Sequence, residues 1–545
     1  MVSPHELHLI RFNLKAMNSL SEAEVGELVG LLWPVAAAGD GSFTDDDSQR
    51  WYRQGFEFQT LAGFPLGLVQ GHGGPCGVLA TVQAEMLRIF LFLRRHETFS
   101  GADVDLQQLV QRERLAEDES LRLQLLAEAM ASLLTQCVGD DGAARVVMQD
   151  TEEGTPPTYR ETLVDVSTEL TDTPPQELVS LLLHEMPTFC SPHGVINFTF
   201  SVLRTRGVAT VREEMDDPTN ALTGTFGHCT QELLNLLLTG KAVSNVFDGS
   251  VSMGETGLFL HGVPQRARIG YLTQLEALRY CEVGSYYKSP QFPVWVLGSS
   301  SHFSVGFAMD PRVCEESASV QLFQRVQRVF KSFDRMETGF MQMESLADSL
   351  LQLGVAAEVL SNEYEMARLL ARLEISSGAG IVLWDEYWKV ISVLLHTGDF
   401  EMAISGKYDA NTTVETHAPL QRSDSDLARE LQAQFDAEER GGSAVPVSSQ
   451  PTPVLPPKPC PLISFDWFYY NGLGHNNNSV SKRRPLLTKC RVTLEKSAEF
   501  IGKSVPIENL GTSGGHGSPP LEEIMKTKWP SARIDWLGSL APGID

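Results

Sequence analysis

The sequence predicts an α+β fold in which a central helix carries a cysteine and a pair of strands carries a histidine. Apolar residues recur at helical spacing from Val78 to Phe90, directly after a glycine-rich loop. Valine and aromatic residues are enriched at Val294–Leu297 and Phe303–Phe307, which is typical of strands. After Met309 the pattern changes to amphipathic helices, and then to a segment rich in Ser, Pro and Gly. A helical insertion and a linker therefore interrupt the α+β domain.

Cys76 is expected in the first turn of the central helix, because Gly73, Gly74 and Pro75 form a turn directly before it. Unpaired N–H groups and the positive end of the helix dipole favour a thiolate there. We therefore expect a thiol pKa lowered from about 8.5 towards about 3.5–7.5, and a nucleophilic role for Cys76. The alternative is a small buried residue. Gln70 precedes it by six residues, close enough to donate its side-chain amide to an oxyanion.

His302 stands at the start of the second strand, directly after the turn Gly298–Ser301. A cysteine at a helix N-terminus and a histidine on a distant strand is the arrangement of papain-type cysteine hydrolases, where the two side chains meet in space. We therefore predict a papain-like cysteine protease fold with His302 as the catalytic base. Other histidines compete for that role: His72, His184, His193, His228 and His261.

A papain-like site also needs a group that orients the imidazole ring. The next strand of the catalytic domain is predicted at Phe465–Leu473, beside the His302 strand. Asn471 is the only side-chain amide on it, and we predict Asn471 as the orienting residue. Because Asn471 precedes Gly472, a turn residue is the alternative. Asp310 is the rival for orienting the ring.

Composition narrows the classes of partner and cofactor. A net charge of -26 argues against a nucleic-acid partner, which would need a basic surface. The eight cysteines form no CxxC pair and no cluster with zinc spacing, so we expect no metal and no cofactor. We expect a reducing compartment, cytoplasmic or nuclear. No signal peptide is evident, and the apolar runs are shorter than the about 20 residues of a membrane span, so no membrane partner is expected.

The order of these patterns predicts five segments. Residues 1–50 form an N-terminal helical arm, and residues 51–310 form the first part of the catalytic domain. Residues 318–400 form the helical insertion, and residues 401–460 form a flexible, disordered linker. Residues 461–545 complete the catalytic domain.

The insertion has the outline of a calcium-binding helix–loop–helix unit at Asp334–Ser345. Asp334 stands at the first position of the loop and Gly339 at the sixth. Met336 and Ser345, however, occupy positions where calcium needs oxygen ligands. A second degenerate loop is expected at Glu374–Ile381. We predict a paired EF-hand-like fold that packs without a metal ion.

Within the linker, Ser423–Glu439 predicts a short amphipathic helix with acidic ends. Leu427, Leu431 and Phe435 share one face of it. A helix of this length is marginal on its own, so we expect it to fold on binding a partner. The alternative is a solvated helix without a partner.

Several ordered blocks carry a resemblance to a known family. They are Q-G-H-G-G-P-C-G-V-L-A (70–80), Leu233–Gly249, Cys281–Val296, S-H-F-S-V (301–305), Phe468–Leu473 and Thr527–Pro530. Together they resemble the MINDY family of deubiquitinases, and most closely its subgroup with an EF-hand-like insertion. The linker helix likewise resembles ubiquitin-interacting helices of the inverted type, with Leu427, Ala428 and Leu431 in a D-L-A-x-x-L-Q pattern.

The resemblance implies a cysteine isopeptidase that hydrolyses isopeptide bonds in polyubiquitin chains, with lysine-48 linkage. Its partners would be polyubiquitin and ubiquitinated proteins. Cys76 would be the nucleophile, His302 the base and Gln70 an oxyanion donor. Two alternatives stay open at this point: a catalytically silent ubiquitin-binding scaffold, and a different cysteine acyl-transfer enzyme such as a small-peptide hydrolase.

Overall fold

The described residues form two compact units. The computed structural model describes residues 18–34, 43–60, 63–71, 73–94, 105–149, 163–170, 175–252, 258–316, 318–334, 338–356, 360–374, 379–406, 464–474, 485–494 and 518–544. Unit 1 contains those up to residue 316 and those from 464 onwards. Unit 2 contains those from 318 to 406.

Helices are the commoner element in the described residues. The helices of unit 1 before residue 317 are α1 (Glu22–Leu32), α2 (Asp45–Tyr52), α3 (Cys76–Arg88), α4 (Leu106–Arg112), α5 (Glu119–Cys137), α6 (Gln176–His184), α7 (Met186–Phe189), α8 (Gly194–Arg206), α9 (Val208–Glu214), α10 (Gln231–Thr239), α11 (Gln274–Ala277) and α12 (Ser285–Lys288). Those of unit 2 are α13 (Ala318–Phe333), α14 (Leu346–Gln352), α15 (Glu363–Leu373), α16 (Trp384–Thr397) and α17 (Phe400–Ser405). Helix α18 (Pro520–Lys528) returns to unit 1.

The strands are mostly short. They are β1 (Asn18–Ser19), β2 (Glu57–Phe58), β3 (Leu68–Val69), β4 (Ala143–Gln149), β5 (Leu163–Glu169), β6 (Ser250–Ser252), β7 (Phe259–His261), β8 (Gly270–Thr273), β9 (Val294–Gly298), β10 (Phe303–Ala308), β11 (Phe340–Gln342), β12 (Ile381–Leu383), β13 (Ser464–Tyr470), β14 (Leu487–Thr493) and β15 (Arg533–Asp535).

A six-stranded sheet is the framework of unit 1, with the order β15-β14-β13-β10-β9-β8. Neighbouring strands are antiparallel, except β8 and β9, which are parallel. Strand β13 pairs with β10 so that Tyr470 lies opposite Val305 and Trp467 lies opposite Ala308. The prediction that the chain returns after the insertion to lie beside the His302 strand is therefore confirmed. This mixture of helices and sheet is the predicted α+β class.

Helix α3 lies in the core of unit 1 and packs against the sheet. Each of its thirteen residues, Cys76–Arg88, is buried. Val78, Val82 and Met86 belong to the same apolar cluster as Val305 and Phe307 of β10. The two charged residues of the helix pair with each other: Arg88 donates hydrogen bonds to Glu85 at 2.6 and 2.8 Å. The helix that begins at Cys76 is thus held on all sides.

The stretch Cys76–Leu93 is long and apolar enough to cross a membrane, but 89% of it is buried inside the protein. It comprises α3 and a π-helical turn, Ile89–Leu93. The expectation that apolar runs fall short of a membrane span overlooked this stretch, because Gln83, Glu85 and Arg88 interrupt the apolar letters. Its burial is that of a core helix.

The described part of the predicted N-terminal arm packs into unit 1 and is not a separate arm. Val25 and Leu28 of α1 belong to the same core as α3. The predicted boundary at residue 51 falls inside α2, whose Trp51 is fully buried. Thr44 and Asp47 form a capping box at the start of α2.

The described part of unit 2 contains two helix–loop–helix pairs, α13 with α14 and α15 with α16, followed by α17. Their loops are joined by antiparallel pairing of β11 and β12, with Phe340 opposite Leu383. Both oxygens of the Asp334 carboxylate accept hydrogen bonds within the first loop, from Thr338 and from the Gly339 N–H. The described residues contain no group of three or more His, Cys, Asp or Glu side chains that could hold a metal ion. Helix α17 extends unit 2 past the predicted boundary at residue 400, because Asp399 caps it and Phe400 and Ala403 are buried.

This arrangement is the one that a paired EF-hand-like fold would have, and that name stays a prediction. The predicted linker lies mostly outside the described residues, including the ubiquitin-binding candidates Leu427, Ala428 and Leu431. His72 and Met336 also lie outside them.

Candidate active site

Cys76 is the first residue of α3, as the sequence predicts. Pro75 precedes the helix, and Gly74 adopts a φ of +127°, which favours glycine. The Cys76 side chain is 2% exposed. Its Sγ lies 3.8 Å from the main-chain oxygen of Gly74. The turn therefore fixes the thiol at the helix N-terminus but also covers it.

Burial raises the pKa of the Cys76 thiol to about 11. The backbone N–H groups of Phe303, Cys76 and Gly77 lower it, but by less than burial raises it. The expected depressed pKa is therefore wrong for this conformation, because the cost of an unsolvated thiolate exceeds the gain from the helix terminus. At neutral pH the thiol is protonated, so a nucleophilic role needs a base beside it.

His302 directly precedes β10 and is 8% exposed. Ser299 Oγ accepts a hydrogen bond from the His302 N–H at 2.9 Å, which fixes the backbone at the turn. His302 Nε2 lies 2.5 Å from the main-chain oxygen of Asn471. Because a carbonyl oxygen only accepts hydrogen bonds, Nε2 carries the proton, and Nδ1 of the neutral ring is then an acceptor. An imidazole in this tautomer can accept a thiol proton.

Asn471 contacts the His302 ring through its main-chain oxygen. Its side-chain Oδ1 accepts from the N–H groups of Leu473 and Leu486, at 3.2 and 2.8 Å. The sequence prediction gave the orienting role to the Asn471 side chain, with a turn residue as the alternative. In the structure the side chain holds the turn, and the main-chain oxygen contacts the His302 ring. Asp310, the rival, caps its own turn and forms an ion pair with Arg312 at 2.6 Å.

Gln70 is tied to the same loop that holds His302. Its N–H donates to Gly472 O, and its own carbonyl oxygen accepts from Gly474 N–H, each at 2.8 Å. Gly472 adopts a φ of +64°, which turns the loop back towards Gln70. The loop from Asn471 to Gly474 thus sets the positions of Gln70 and His302 together.

These residues surround one small pocket that is partly open to solvent. Its lining includes Gln70, Cys76, His302 and Gly472. A nucleophile, a base and an amide donor thus meet in one place, as acyl transfer requires. Among the described residues, no group of three or more His, Cys, Asp or Glu side chains that could hold a metal ion lies at this pocket.

A family model described as "Deubiquitinating enzyme MINDY-3/4, conserved domain" matches residues 41–327, about half of the chain. The chain belongs to the MINDY-3/4 family. The match includes Gln70, Cys76 and His302 and ends before Asn471. Membership in this family confirms the resemblance to the MINDY family, and the subgroup with an EF-hand-like insertion stays a prediction.

Curated relatives carry the same family names. Ubiquitin carboxyl-terminal hydrolase MINDY-3 of Danio rerio is 33% identical over 377 residues, which is 66% of this chain and 80% of the relative. The Homo sapiens MINDY-3 protein is 32% identical, with the same coverage. Probable ubiquitin carboxyl-terminal hydrolase MINDY-4 of Mus musculus is 36% identical over 282 residues, which is 51% of this chain and only 36% of the relative. No solved structure matches the chain.

In this MINDY-family chain, the described competing histidines are not among the residues that line the pocket. His184 is largely exposed at the end of α6, and His193 precedes α8 with a φ of 72°. His261 contacts Ser250 in the β6–β7 hairpin. His228 is half-buried, and burial followed by the nearby Arg50 lowers its pKa.

Sequence reasoning missed Gln83 and Cys229. Gln83 lines the pocket, and its Oε1 accepts from Leu68 N–H at 2.6 Å. Its Nε2 has no hydrogen-bond partner among the described residues. A glutamine within an otherwise apolar helical face was the available signal. Cys229 Sγ lies 3.9 Å from Gly74 O, and nothing in its local sequence places it there.

Proposed function

We propose that this protein is a thiol-dependent ubiquitinyl hydrolase that cleaves isopeptide bonds in polyubiquitin. The observation that carries the proposal is the meeting of Gln70, Cys76 and His302 around one pocket at the N-terminus of α3. Its relatives are named ubiquitin carboxyl-terminal hydrolases, which supports ubiquitin as the substrate.

Cys76 Sγ attacks the carbonyl carbon of the C-terminal glycine of ubiquitin. Because burial raises the pKa of Cys76, the reaction does not start from a standing thiolate. His302 accepts the thiol proton as attack proceeds, and later donates it to the leaving lysine amine. The Asn471 carbonyl, 2.5 Å from Nε2, stabilises the imidazolium that forms between these two steps.

The tetrahedral intermediate carries a negative oxygen that needs donors. The side-chain amide of Gln70 and the backbone N–H of Cys76 provide them in this mechanism. Gln70 is 7% exposed, and its backbone is fixed on both sides by Gly472 and Gly474. A donor held in this way needs little reorganisation during the reaction, which is the condition for efficient oxyanion stabilisation.

Wild-type protein and Cys76→Ala should be incubated with ubiquitin dimers and longer chains of each linkage. The proposal expects cleavage by wild type and none by Cys76→Ala. The lysine-48 preference rests on the family resemblance alone, so equal cleavage of all linkages would remove the preference and leave the hydrolase. No cleavage of any chain would contradict the hydrolase.

The predicted ubiquitin-binding helix needs its own test, because Leu427, Ala428 and Leu431 lie outside the described residues. Leu431→Ala should weaken binding of ubiquitin chains by about 2 kcal/mol, or about thirtyfold, through lost apolar burial. Reaction of Cys76 with a small ubiquitin electrophile should be unchanged. Equal chain affinity in both proteins would remove the helix from the proposal.

A catalytically silent ubiquitin-binding scaffold is the second candidate. The observation that favours it is the 2% exposure of Cys76 together with its raised pKa. Chain binding without cleavage at high protein concentration would decide for the scaffold.

We also propose a cytoplasmic or nuclear location, in keeping with the free state of the described cysteines.

A further inference from the structure

The thiols of two cysteines lie close to the same main-chain oxygen atom at the N-terminus of α3. Cys76 Sγ lies 3.8 Å from Gly74 O, and Cys229 Sγ lies 3.9 Å from the same atom. Both cysteines are free and buried. The two residues are far apart in sequence, so the fold brings the second thiol to the first.

Gly77 is what allows this approach. A Cβ atom at Gly77 would stand 3.0 Å from both Cβ and Sγ of Cys229. Because Gly77 directly follows Cys76, the Cys229 side chain packs against the backbone next to the nucleophile. The Gly77 N–H also interacts with both sulfur atoms. Burial and then the neighbouring Cys76 raise the pKa of Cys229, as expected for two thiols in one buried space.

The segment before Cys229 is a strained turn held in place by a buried tryptophan. Phe226 has a φ of 60° and Gly227 a φ of 70°, both left-handed. Trp51 Nε1 donates to Gly227 O at 2.8 Å, and Gly224 N–H donates to His228 O at 2.8 Å. The turn thus fixes Cys229 beside the helix terminus, although the proposed hydrolysis gives Cys229 no task.

We propose that Cys229 is a resolving cysteine, which captures an oxidised Cys76 as an intramolecular disulfide and so makes oxidative inactivation reversible. The oxidant is a hydroperoxide, such as hydrogen peroxide. A disulfide needs Cβ atoms about 3.5–4.5 Å apart. Both sulfur atoms lie within 3.9 Å of the same oxygen atom, so rotation about the two Cα–Cβ bonds has only a short distance over which to bring the sulfurs together.

The chemistry proceeds in two steps. The Cys76 thiolate, formed by proton transfer to His302, attacks one oxygen of hydrogen peroxide. The O–O bond breaks, Cys76 becomes a sulfenic acid, and hydroxide leaves and is protonated to water. The Cys229 sulfur then attacks the Cys76 sulfur, the S–O bond breaks, and a second water forms from the hydroxide and the Cys229 proton. Two thiols and one peroxide thus give one disulfide and two waters.

The consequence is protection of the nucleophile. A sulfenic acid left without a partner is oxidised further to sulfinic acid, which thiol reductants do not reverse. A Cys76–Cys229 disulfide blocks attack on substrate but is reduced by a dithiol. The inference concerns the two thiols themselves, so mass spectrometry tests it even if the isopeptidase activity is absent.

The full chain should be treated with hydrogen peroxide, blocked with N-ethylmaleimide and digested without reduction. The expected product is a peptide pair joined through Cys76 and Cys229. After dithiothreitol, wild type should recover its free Cys76 thiol. Cys229→Ser and Cys229→Ala should lose this recovery and accumulate sulfinic acid at Cys76. Cys281→Ser, which removes a partly buried cysteine that takes no part in the proposed disulfide, should recover like wild type.

Oxidation of Cys76 in wild type without a linked peptide would overturn the proposal. So would equal recovery of the free thiol in Cys229→Ser and wild type. The wild-type peptide map alone decides the matter if both Cys229 variants fail to fold. Failure of the proposed function would show separately, as absence of chain cleavage by untreated protein.

Discussion

The loop from Asn471 to Gly474 is the part of the site whose role is most open to a quantitative test. Asn471 Oδ1 accepts two backbone hydrogen bonds, from Leu473 and from Leu486. Asn471→Ala removes both and leaves two partly buried N–H groups without their acceptor. At about 1 kcal/mol for each N–H group left without an acceptor, the substitution destabilises the observed conformation of the loop by about 2 kcal/mol.

That loss reaches catalysis through two contacts of the loop backbone. The Asn471 carbonyl holds His302 Nε2, and Gly472 and Gly474 hold the backbone of Gln70. If the full 2 kcal/mol appears in the transition state, kcat falls about thirtyfold. The assay is hydrolysis of a fluorogenic amide at the C-terminus of ubiquitin, with thermal unfolding measured in parallel to establish that the variant is folded.

Asn471→Asp is the matched control, because it keeps an acceptor oxygen for Leu473 and Leu486. It should retain most of the wild-type kcat, while Asn471→Ala should not. A folded Asn471→Ala protein with wild-type kcat would refute the reasoning, and so would an equal loss in both variants. The first result would reduce the loop to a passive connection, and the second would make the neutral amide group itself essential.

Three further changes follow from the structure. Gln70→Ala should lower kcat by about 10²–10³ with little change in KM if Gln70 is an oxyanion donor; an unchanged kcat would remove it from that role. Glu85→Gln should lower the free energy of unfolding by about 3–5 kcal/mol in urea titrations, because it leaves the buried Arg88 without its carboxylate. Burial raises the pKa of Glu85, but the hydrogen bond from Arg88 and the nearby arginine charges outweigh this effect, so the pKa in the folded protein is lowered. The stability that Glu85 provides is therefore complete above about pH 4.3, the pKa in the unfolded chain, and is lost as pH falls through the folded pKa. A Glu85→Gln variant that loses stability in acid as much as wild type does would contradict this. Phe226→Gly should raise the melting temperature by relieving about 1 kcal/mol of left-handed strain, and a lower melting temperature would show that the ring stabilises the turn.

The sequence was sufficient to predict the features that depend on local pattern. A glycine-rich turn before an apolar helix placed Cys76 at the first residue of α3. Alternating Val and aromatic residues placed the strands on either side of His302. The pairing of β13 with β10 followed from chain order, because the insertion ends where the next strand-like segment begins.

Features that depend on burial, or on contacts between residues distant in the sequence, were not predictable in this way. Local sequence gives the helix terminus that favours a thiolate, but not the burial that raises the pKa of Cys76 to about 11. It identified Asn471 by its amide, whereas the contact with His302 comes from a main-chain oxygen that every residue has. Cys229 reaches Gly74 only through the strained turn at Phe226, which no sequence pattern signals.

Reaction with an electrophile attached to the C-terminus of ubiquitin tests the central claim most directly, because it requires ubiquitin recognition and a reactive thiol together. Intact mass and peptide mapping should show one ubiquitin adduct, located on Cys76, in the wild-type protein. Cys76→Ala should form none, and His302→Ala should form it much more slowly, because the proton acceptor is gone. No adduct on the wild-type protein, or an equal adduct on Cys76→Ala, would contradict Cys76 as the nucleophile of a deubiquitinase.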